Sequence, residues 1–352
     1  MNALVAAWRR GARSPYFALV YLIASLVVAY GVVALIAWRL GIDVVSFFAA
    51  MFVYPLTTSS GLSTTFRLTT PVLLSALTLV LAFRIGFFNV NSPGELIVGM
   101  IAGAWVAIYV VGLPSVVHVP LTLLAGFAAG SLVGLGLAYA KFRFGVNEVL
   151  LSLLLNFICT YGVTALLYGP MQGRPLLPYT APIQESAVLP SLFGRVHVGL
   201  VVALLSVPIV AVWVRYTRFG YMMSVMGSNI ETARAAGINV MRVGLVTVSL
   251  GAGFSGLAGV MQVTGVYGYG FDTIVQGIGF YGMICAFIAF GRLEFLIPAA
   301  ILTSVVLGTG ELIRSYPNLP AQTPQMLLGL IAFSLLVTSA IGARLISVET
   351  RK

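Results

Sequence analysis

Apolar runs near the roughly 20 residues that carry a helix across a bilayer recur along the whole chain, separated by short polar or Pro- and Gly-rich breaks. The runs are continuously apolar and do not alternate every second residue, so the pattern predicts membrane helices and not barrel strands. About ten spans are expected, over residues 17–38, 68–85, 94–112, 118–140, 148–168, 196–216, 240–263, 273–290, 293–312 and 324–342. Residues 41–70 are Ser- and Thr-rich and read as a partly helical outer loop. Residues 169–195 hold five prolines and read as an external loop. The chain is then one transmembrane domain over 1–352, with an N-terminal half at 16–168, a C-terminal half at 196–342 and a cytoplasmic loop at 216–240.

Composition agrees with this pattern. The 352 residues are 60% hydrophobic and only 8% charged, against about a quarter charged in a soluble domain. The N-terminal stretch carries Trp8, Arg9, Arg10 and Arg13 before an apolar run without a small-residue cleavage site, which predicts a retained cytoplasmic anchor. In a polytopic chain the net charge of +10 reports orientation, not binding to nucleic acid. With both termini inside, Arg9, Arg10, Arg13, Arg84, Lys141, Arg143, Arg215, Arg218, Arg234, Arg242, Arg292, Arg344, Arg351 and Lys352 fall on the cytoplasmic side. Arg39, Arg67, Arg174, Arg195 and Arg314 fall outside. The second to fifth and seventh to tenth spans then start on opposite sides, as an inverted repeat requires. Cys159 and Cys285 lie inside spans and read as buried free thiols.

One stretch interrupts the hydrocarbon, "GSNIETARAAGINV" at 227–240. Ser228 and Glu231 have the spacing of a capping box, and Gly237 suits a left-handed stop. Thr232, Ala233, Ala235 and Ala236 offer a small smooth surface flanked by Arg218, Arg234 and Arg242. Capping alone fits an ordinary connector as well as a helix held in another protein's groove. "NIETARAAGINVMRV" followed by "SLGAGFSGLAGV" resembles the coupling-helix segment of ABC importer permeases, most closely the branch for simple sugars and nucleosides. "FFNVNSPGELIVG" at 87–99, "NEVLLSLLLNFI" at 147–158 and "GFYGMICAFIA" at 279–289 resemble further motifs of that branch, and the likeness runs over about residues 70–342. The chain departs from the family pattern at Pro93, Glu95 and Tyr281.

The resemblance implies an all-α, type II importer-like inverted repeat that supplies a path, without catalysis of its own. It implies three partners: a cytoplasmic ATPase contacted through Ser228, Glu231, Thr232, Ala233, Arg234 and Gly237, a second permease, similar or identical, and an external substrate-binding lipoprotein. Nucleosides are the first cargo it suggests, then simple sugars, then branched-chain amino acids. Independently, the only lysines are Lys141, before Phe142, and the terminal Lys352. No P-loop ending in Gly-Lys-Ser/Thr exists here, so any ATP-driven transport must use a separate subunit, and the ATP and Mg that the resemblance implies are expected on that partner.

Polar groups at membrane depth are the remaining candidates. Asn89, Asn91 and Glu95 surround Pro93-Gly94, which reads either as a capped helix start or as a lining of the path. Asn147 and Glu148 open the fifth span, and Asn156, deeper, offers donors and acceptors to a sugar hydroxyl or base edge. Gln262, Tyr267, Tyr269, Asp272 and Gln276 suit a vestibule or an interfacial belt. Trp105, Phe157, Phe280 and Tyr281 are stacking candidates. Gly251, Ser255 and Gly259 form a small-residue stripe for close helix approach. "GFSG" at 253–256 also matches the Gly-x-Ser-Gly of rhomboid proteases, but His118 and His197 both precede Ser255 and lie at span ends, so no base is expected. From another class, an ion-coupled secondary transporter would use Glu95, Glu148 and Asp272.

Overall fold

The computed structural model describes residues 15–39, 41, 43–173, 176–274, 277–309 and 323–349. The anchor expected over 1–14, with Arg174, Gln276 and Arg314, lies outside the described residues. The chain divides into two compact units, one of residues 66–283 and one of residues 1–65 with 284–352.

In the second of these, α1 (Pro15–Arg39) packs along α13 (Thr323–Glu349). Ser334 Oγ donates to the Ser25 carbonyl at 3.0 Å. The helix α2 (Val44–Thr57), capped by Asp43, packs against α12 (Leu296–Gly308). Residues 41–70, expected as a partly helical loop, are thus nearly all helix, because α3 (Ser59–Arg84) begins well before the expected span.

The larger unit holds the rest of α3, then α4 (Ser92–Tyr109), α5 (Ser115–Phe144), α6 (Glu148–Leu167) and α7 (Gly199–Tyr216). Two short helices follow, α8 (Arg218–Ser228) and α9 (Ile230–Ala235), and then α10 (Val240–Gln262), which continues as a π-helical turn over Val263–Tyr267. Its core is α4, α5 and α10, held at backbone contact by glycine. A Cβ on Gly99 would stand 2.2 Å from Gly256 Cα, one on Gly130 2.5 Å from the Ala252 carbonyl oxygen, and one on Gly259 1.9 Å from the Leu96 carbonyl oxygen. Lipid tails are as apolar as leucine, so such close packing is what drives helices together in a membrane. The expected stripe is real: Gly259 meets α4, and Thr78 Oγ1 on α3 donates to the Gly251 carbonyl at 2.6 Å.

Six helices among the described residues are long and apolar enough to span: Ser59–Arg84, Ser92–Tyr109, Ser115–Phe144, Glu148–Leu167, Gly199–Tyr216 and Val240–Tyr267. The count becomes seven if the pair Ile278–Ile288 and Leu293–Gly308, bent by 114°, is one broken span. The expected count of ten is not confirmed among the described residues. The spans predicted at 273–290 and 293–312 become α11 (Ile278–Ile288) and α12, of 11 and 13 residues. At 1.5 Å per residue these reach only about 17 and 20 Å of a ~30 Å core. Phe290 and Gly291 turn the chain at positive φ, 53° and 63°, a bend that hydropathy does not register. Shorter apolar helices occupy Ile23–Arg39, Val44–Thr57 and Thr323–Leu335.

Residues 169–195 hold a three-residue 3-10 turn, Glu185–Ala187, and β1 (Ser191–Phe193), which pairs antiparallel with β2 (Val196–His197). This segment is a strap tied across one end of the bundle. Thr180 N–H donates to the Gly270 carbonyl, Ile183 N–H to Gly268 and Leu189 N–H to Thr264, each at 2.9 Å. Gln184 Nε2 donates to the Ile108 carbonyl at the end of α4, at 2.8 Å. The strap thereby satisfies backbone groups that the α10 terminus leaves open. The helices α8 and α9 lie at the opposite end of this unit.

Candidate functional site

The short pair α8–α9 is held by local caps. Thr217 Oγ1 accepts from Gly220 N–H at 3.2 Å, and Asn229 Oδ1 accepts from Glu231 N–H at 2.8 Å and Thr232 N–H at 3.2 Å. Asn229, not Ser228, is therefore the N-cap of α9, a correction to the capping box. Ser228 Oγ instead donates to the Val225 carbonyl in the last turn of α8, and Glu231 turns to Arg234, at 2.7 Å. Asn and Ser rank equally as caps, and the register decided between them. Gly237 behaves as expected: at φ +75° it closes a Schellman motif, with Ile238 N–H on the Ala233 carbonyl and Gly237 N–H on Arg234, both at 3.0 Å. Ala233 is buried and leaves the expected smooth surface, whereas Glu231, Thr232, Arg234, Ala235 and Ala236 are exposed. The exposed Glu231–Arg234 pair adds little stability, so both side chains are free to serve contact.

The pair is seated on α3. A Cβ on Gly227 would stand 1.8 Å from the Arg84 carbonyl oxygen and 3.4 Å from Ile85 Cα. The turn from Arg84 through Gly86, at φ +76°, leads directly into a buried polar cluster at the start of α4.

In that cluster, Asn89 Nδ2 donates to Glu95 Oε1 at 2.7 Å, and Asn91 N–H to Asn89 Oδ1 at 2.9 Å. Val90 N–H donates to Ser152 Oγ on α6 at 3.3 Å, and Ser92 Oγ meets Ser255 Oγ on α10 at 2.6 Å. Gly94 lets α6 approach: its Cβ would stand 3.0 Å from Asn156 Cα. A Cβ on Gly279 would stand 2.4 Å from Pro93 N. The three stretches at 87–99, 147–158 and 279–289 thus converge here. Asn89, Asn91 and Glu95 are fully buried and Asn156 nearly so. Both polar atoms of Asn91, Glu95 Oε2 and Asn156 Oδ1 have no partner among the described residues. Buried groups left so are costly, and such groups at the end of an apolar helix are candidates for function. Pro93 does stand in the first turn of α4 with Glu95 against the positive helix end. The Asn91 side chain, however, makes no cap hydrogen bond, so the placing of Pro93 and Glu95 agrees with a helix start but the cap itself is not formed.

The contacts seen at the other candidates are with residues other than the cluster's polar side chains. Asn147 caps α6 through Val149 N–H and Leu150 N–H, and Glu148 pairs with Lys141 at 2.6 Å. Trp105 and Phe157 are exposed and lie beside Tyr109 and Tyr161. Phe280 is exposed, and Tyr281 lies against Gly277. Gln262 is buried with Nε2 unpartnered, but it stands about 10 Å along α10 from Ser255, toward the strap. There Tyr179 of the strap packs on Tyr269 and Phe271, and Phe271 on Tyr267. The expected vestibule rings pack mostly on one another. Ser255 has Ser92 as its partner, while His118 bonds Ser186 and His197 accepts from Gly199 N–H. Neither histidine meets the serine, so the described residues give no support to the protease reading.

His197 lies under the π-helical turn, with Nε2 unpartnered among the described residues. Burial pushes its imidazole down to about 4, and the charge of Arg67 adds to this. Between that value and its ordinary 6.5 the unfolded chain binds the proton that the folded chain refuses. Stability is therefore full above about pH 6.5 and falls on acidification toward 4, by on the order of 3 kcal/mol. His197→Asn is expected to flatten the acid side of the thermal-stability profile of the purified protein. An unchanged slope would refute this role.

Among the described residues, six helices long and apolar enough to cross a bilayer, or seven with the bent pair, define a polytopic membrane protein. The chain belongs to the family described as branched-chain amino acid transport system / permease component, whose profile matches residues 61–339, and is a transport component, not an enzyme. It is similar to a glucose ABC transporter permease protein of Haloferax volcanii, at 32% identity over 88% of this chain and 84% of that protein. It is also similar to a guanosine ABC transporter permease protein of Bacillus subtilis, at 32% identity over 63% of this chain and 65% of that one. A nucleoside ABC transporter permease protein of Lactococcus lactis subsp. cremoris is 24% identical over 86% of each chain. No solved structure matches the chain significantly.

Proposed function

We propose that this chain is the permease subunit of an ATP-binding-cassette importer that carries nucleosides or simple sugars, driven by a separate ATPase through α9. The observation that carries the reading is the exposed α9, capped at both ends and seated through Gly227 on the turn that enters the Asn89–Glu95 cluster. The glucose, guanosine and nucleoside permeases among its relatives support the cargo classes. Arg84, Lys141, Arg143, Arg215, Arg218, Arg234 and Arg242 belong to the α8–α9 end, against Arg67 and Arg195 toward the strap, which favours a cytoplasmic α8–α9 end. In this reading both termini are cytoplasmic and the protein lies in the plasma membrane. Exposed Ser228, Glu231, Thr232 and Arg234 meet the ATPase, which holds ATP and Mg. A second permease, similar or identical, completes the path as an inverted-repeat pair, and a substrate-binding lipoprotein delivers cargo at the strap end. Asn89, Glu95 and Asn156 line the path.

The test is uptake of labelled guanosine, with unlabelled glucose and ribose as competitors, in cells expressing the permease with its neighbouring transport genes. Uptake is expected to collapse on ATP depletion and in the Glu231→Ala, Arg234→Ala double variant while the protein stays in the membrane. Competition by a sugar assigns that class. A cross-linker at position 232, exposed where 233 is not, is expected to capture the ATPase. Uptake that survives both treatments would replace this reading with the ion-coupled one.

A further inference from the structure

Beside the glycine seam, α5 and α10 diverge into a cleft of about 890 Å³. Contact at Gly130–Gly256 and Gly134–Ala252 holds the two backbones together along one side, and the cleft lies beside it. Leu132, Leu135, Leu245 and Leu250 make the walls apolar, and Asn239 and Arg242 close one end. From Arg242 to Leu250 the cleft runs along about 12 Å of α10, close to one leaflet of a ~30 Å hydrocarbon core. A spanning helix of a partner would need a groove through both leaflets. A lipid chain needs only this one.

Arg242 says which lipid. Its side chain is exposed, and no ion pair or side-chain hydrogen bond holds it among the described residues. It stands in the first turn of α10, where Asn239 accepts from its backbone N–H at 2.9 Å. A cation at the positive end of a helix is unfavourable unless an anion joins it. A phosphate there would meet both the guanidinium and the helix N-terminus. We propose that this cleft binds one anionic phospholipid, with its phosphate on Arg242 and an acyl chain along the α5–α10 wall. Basic pockets between membrane helices at the headgroup level suit this ligand. The proposal is independent of the cargo and of the ATPase.

The test uses the purified full-length chain in detergent, titrated with phosphatidylglycerol or phosphatidylcholine, with thermal unfolding and retained lipid by mass spectrometry as readouts. Phosphatidylglycerol is expected to raise the melting temperature saturably and phosphatidylcholine not to do so. Arg242→Gln removes no ion pair or side-chain hydrogen bond among the described residues and is expected to retain about tenfold less phosphatidylglycerol, the loss of one charge-assisted contact. Leu245→Trp, which fills the cleft but keeps the charge, is expected to abolish the same stabilisation. Equal effects of the two lipids, or unchanged retention in both variants, would overturn the proposal. So would variants that split a dimer into monomers without any lipid effect, which would give the cleft to a second permease copy.

Discussion

Gly227→Val is expected to reduce uptake by roughly fivefold to a hundredfold while leaving the permease in the membrane. The neighbour at 1.8 Å is the Arg84 carbonyl oxygen, and backbone at the end of a buried helix does not swing aside as a long side chain would. Overpacking of this kind costs about 1–3 kcal/mol, and a rate falls tenfold for each ~1.4 kcal/mol added to its barrier. The last turn of α8 must lift from α3, so that α9 is carried with it while the caps at Thr217 and Asn229 remain. The helices persist, but their seat beside the Asn89–Glu95 cluster is lost. Immunoblotting of membranes separates this from failed insertion. Gly162→Val on α6, where an added Cβ meets nothing within 4 Å, is the control and is expected to transport normally. Normal uptake in Gly227→Val would mean that α8 is not the rigid link between α9 and the cluster.

Gly256→Leu is expected to be more severe, since it stops the larger unit from assembling. At this position α4, α5 and α10 meet: an added Cβ would stand 2.3 Å from the Gly126 carbonyl oxygen and 3.0 Å from Gly130 Cα, and Gly99 faces it from α4. No rotamer avoids backbone on two sides. The helices must separate, giving up the dispersion contacts that hold a bundle together in lipid. The readout is the yield of monodisperse protein in size-exclusion chromatography after mild solubilisation, expected near zero. Gly136→Leu, on α5 but exposed and with nothing within 4 Å, is expected to behave as wild type. A monodisperse Gly256→Leu protein would show that the seam is not what joins these helices.

Much of the site was readable residue by residue. Gly237 was legible as a left-handed stop because glycine alone occupies that region without penalty. Glu95, Asn89 and Asn156 were legible because ionisable and amide groups are rare in apolar runs. The position of the cap was not, since Ser228 and Asn229 offer the same chemistry one residue apart and the outcome depends on where α8 ends. The burial of Ala233 was hidden for a related reason: in a six-residue helix one face is chosen by the surface it lands on. The strap was legible only as a loop. Its hydrogen bonds to Gly268 and Gly270 join residues about 90 positions apart, and no local pattern encodes them.

The sequence by itself determined that this is a helical membrane protein, roughly where most of its helices run, and that a capped helix interrupts them. Those are properties of windows of about 20 residues or fewer: total hydropathy, prolines, glycines and caps. The tertiary structure decided which faces meet, that the helices Ile278–Ile288 and Leu293–Gly308 meet at a bend of 114°, and that Ser92 finds Ser255, 163 residues away. The physical reason lies in the solvent. In water a helix advertises its buried face by amphipathic periodicity, whereas in lipid both faces are apolar. The choice among them is then left to the fit of glycine against backbone and of one buried polar group against another.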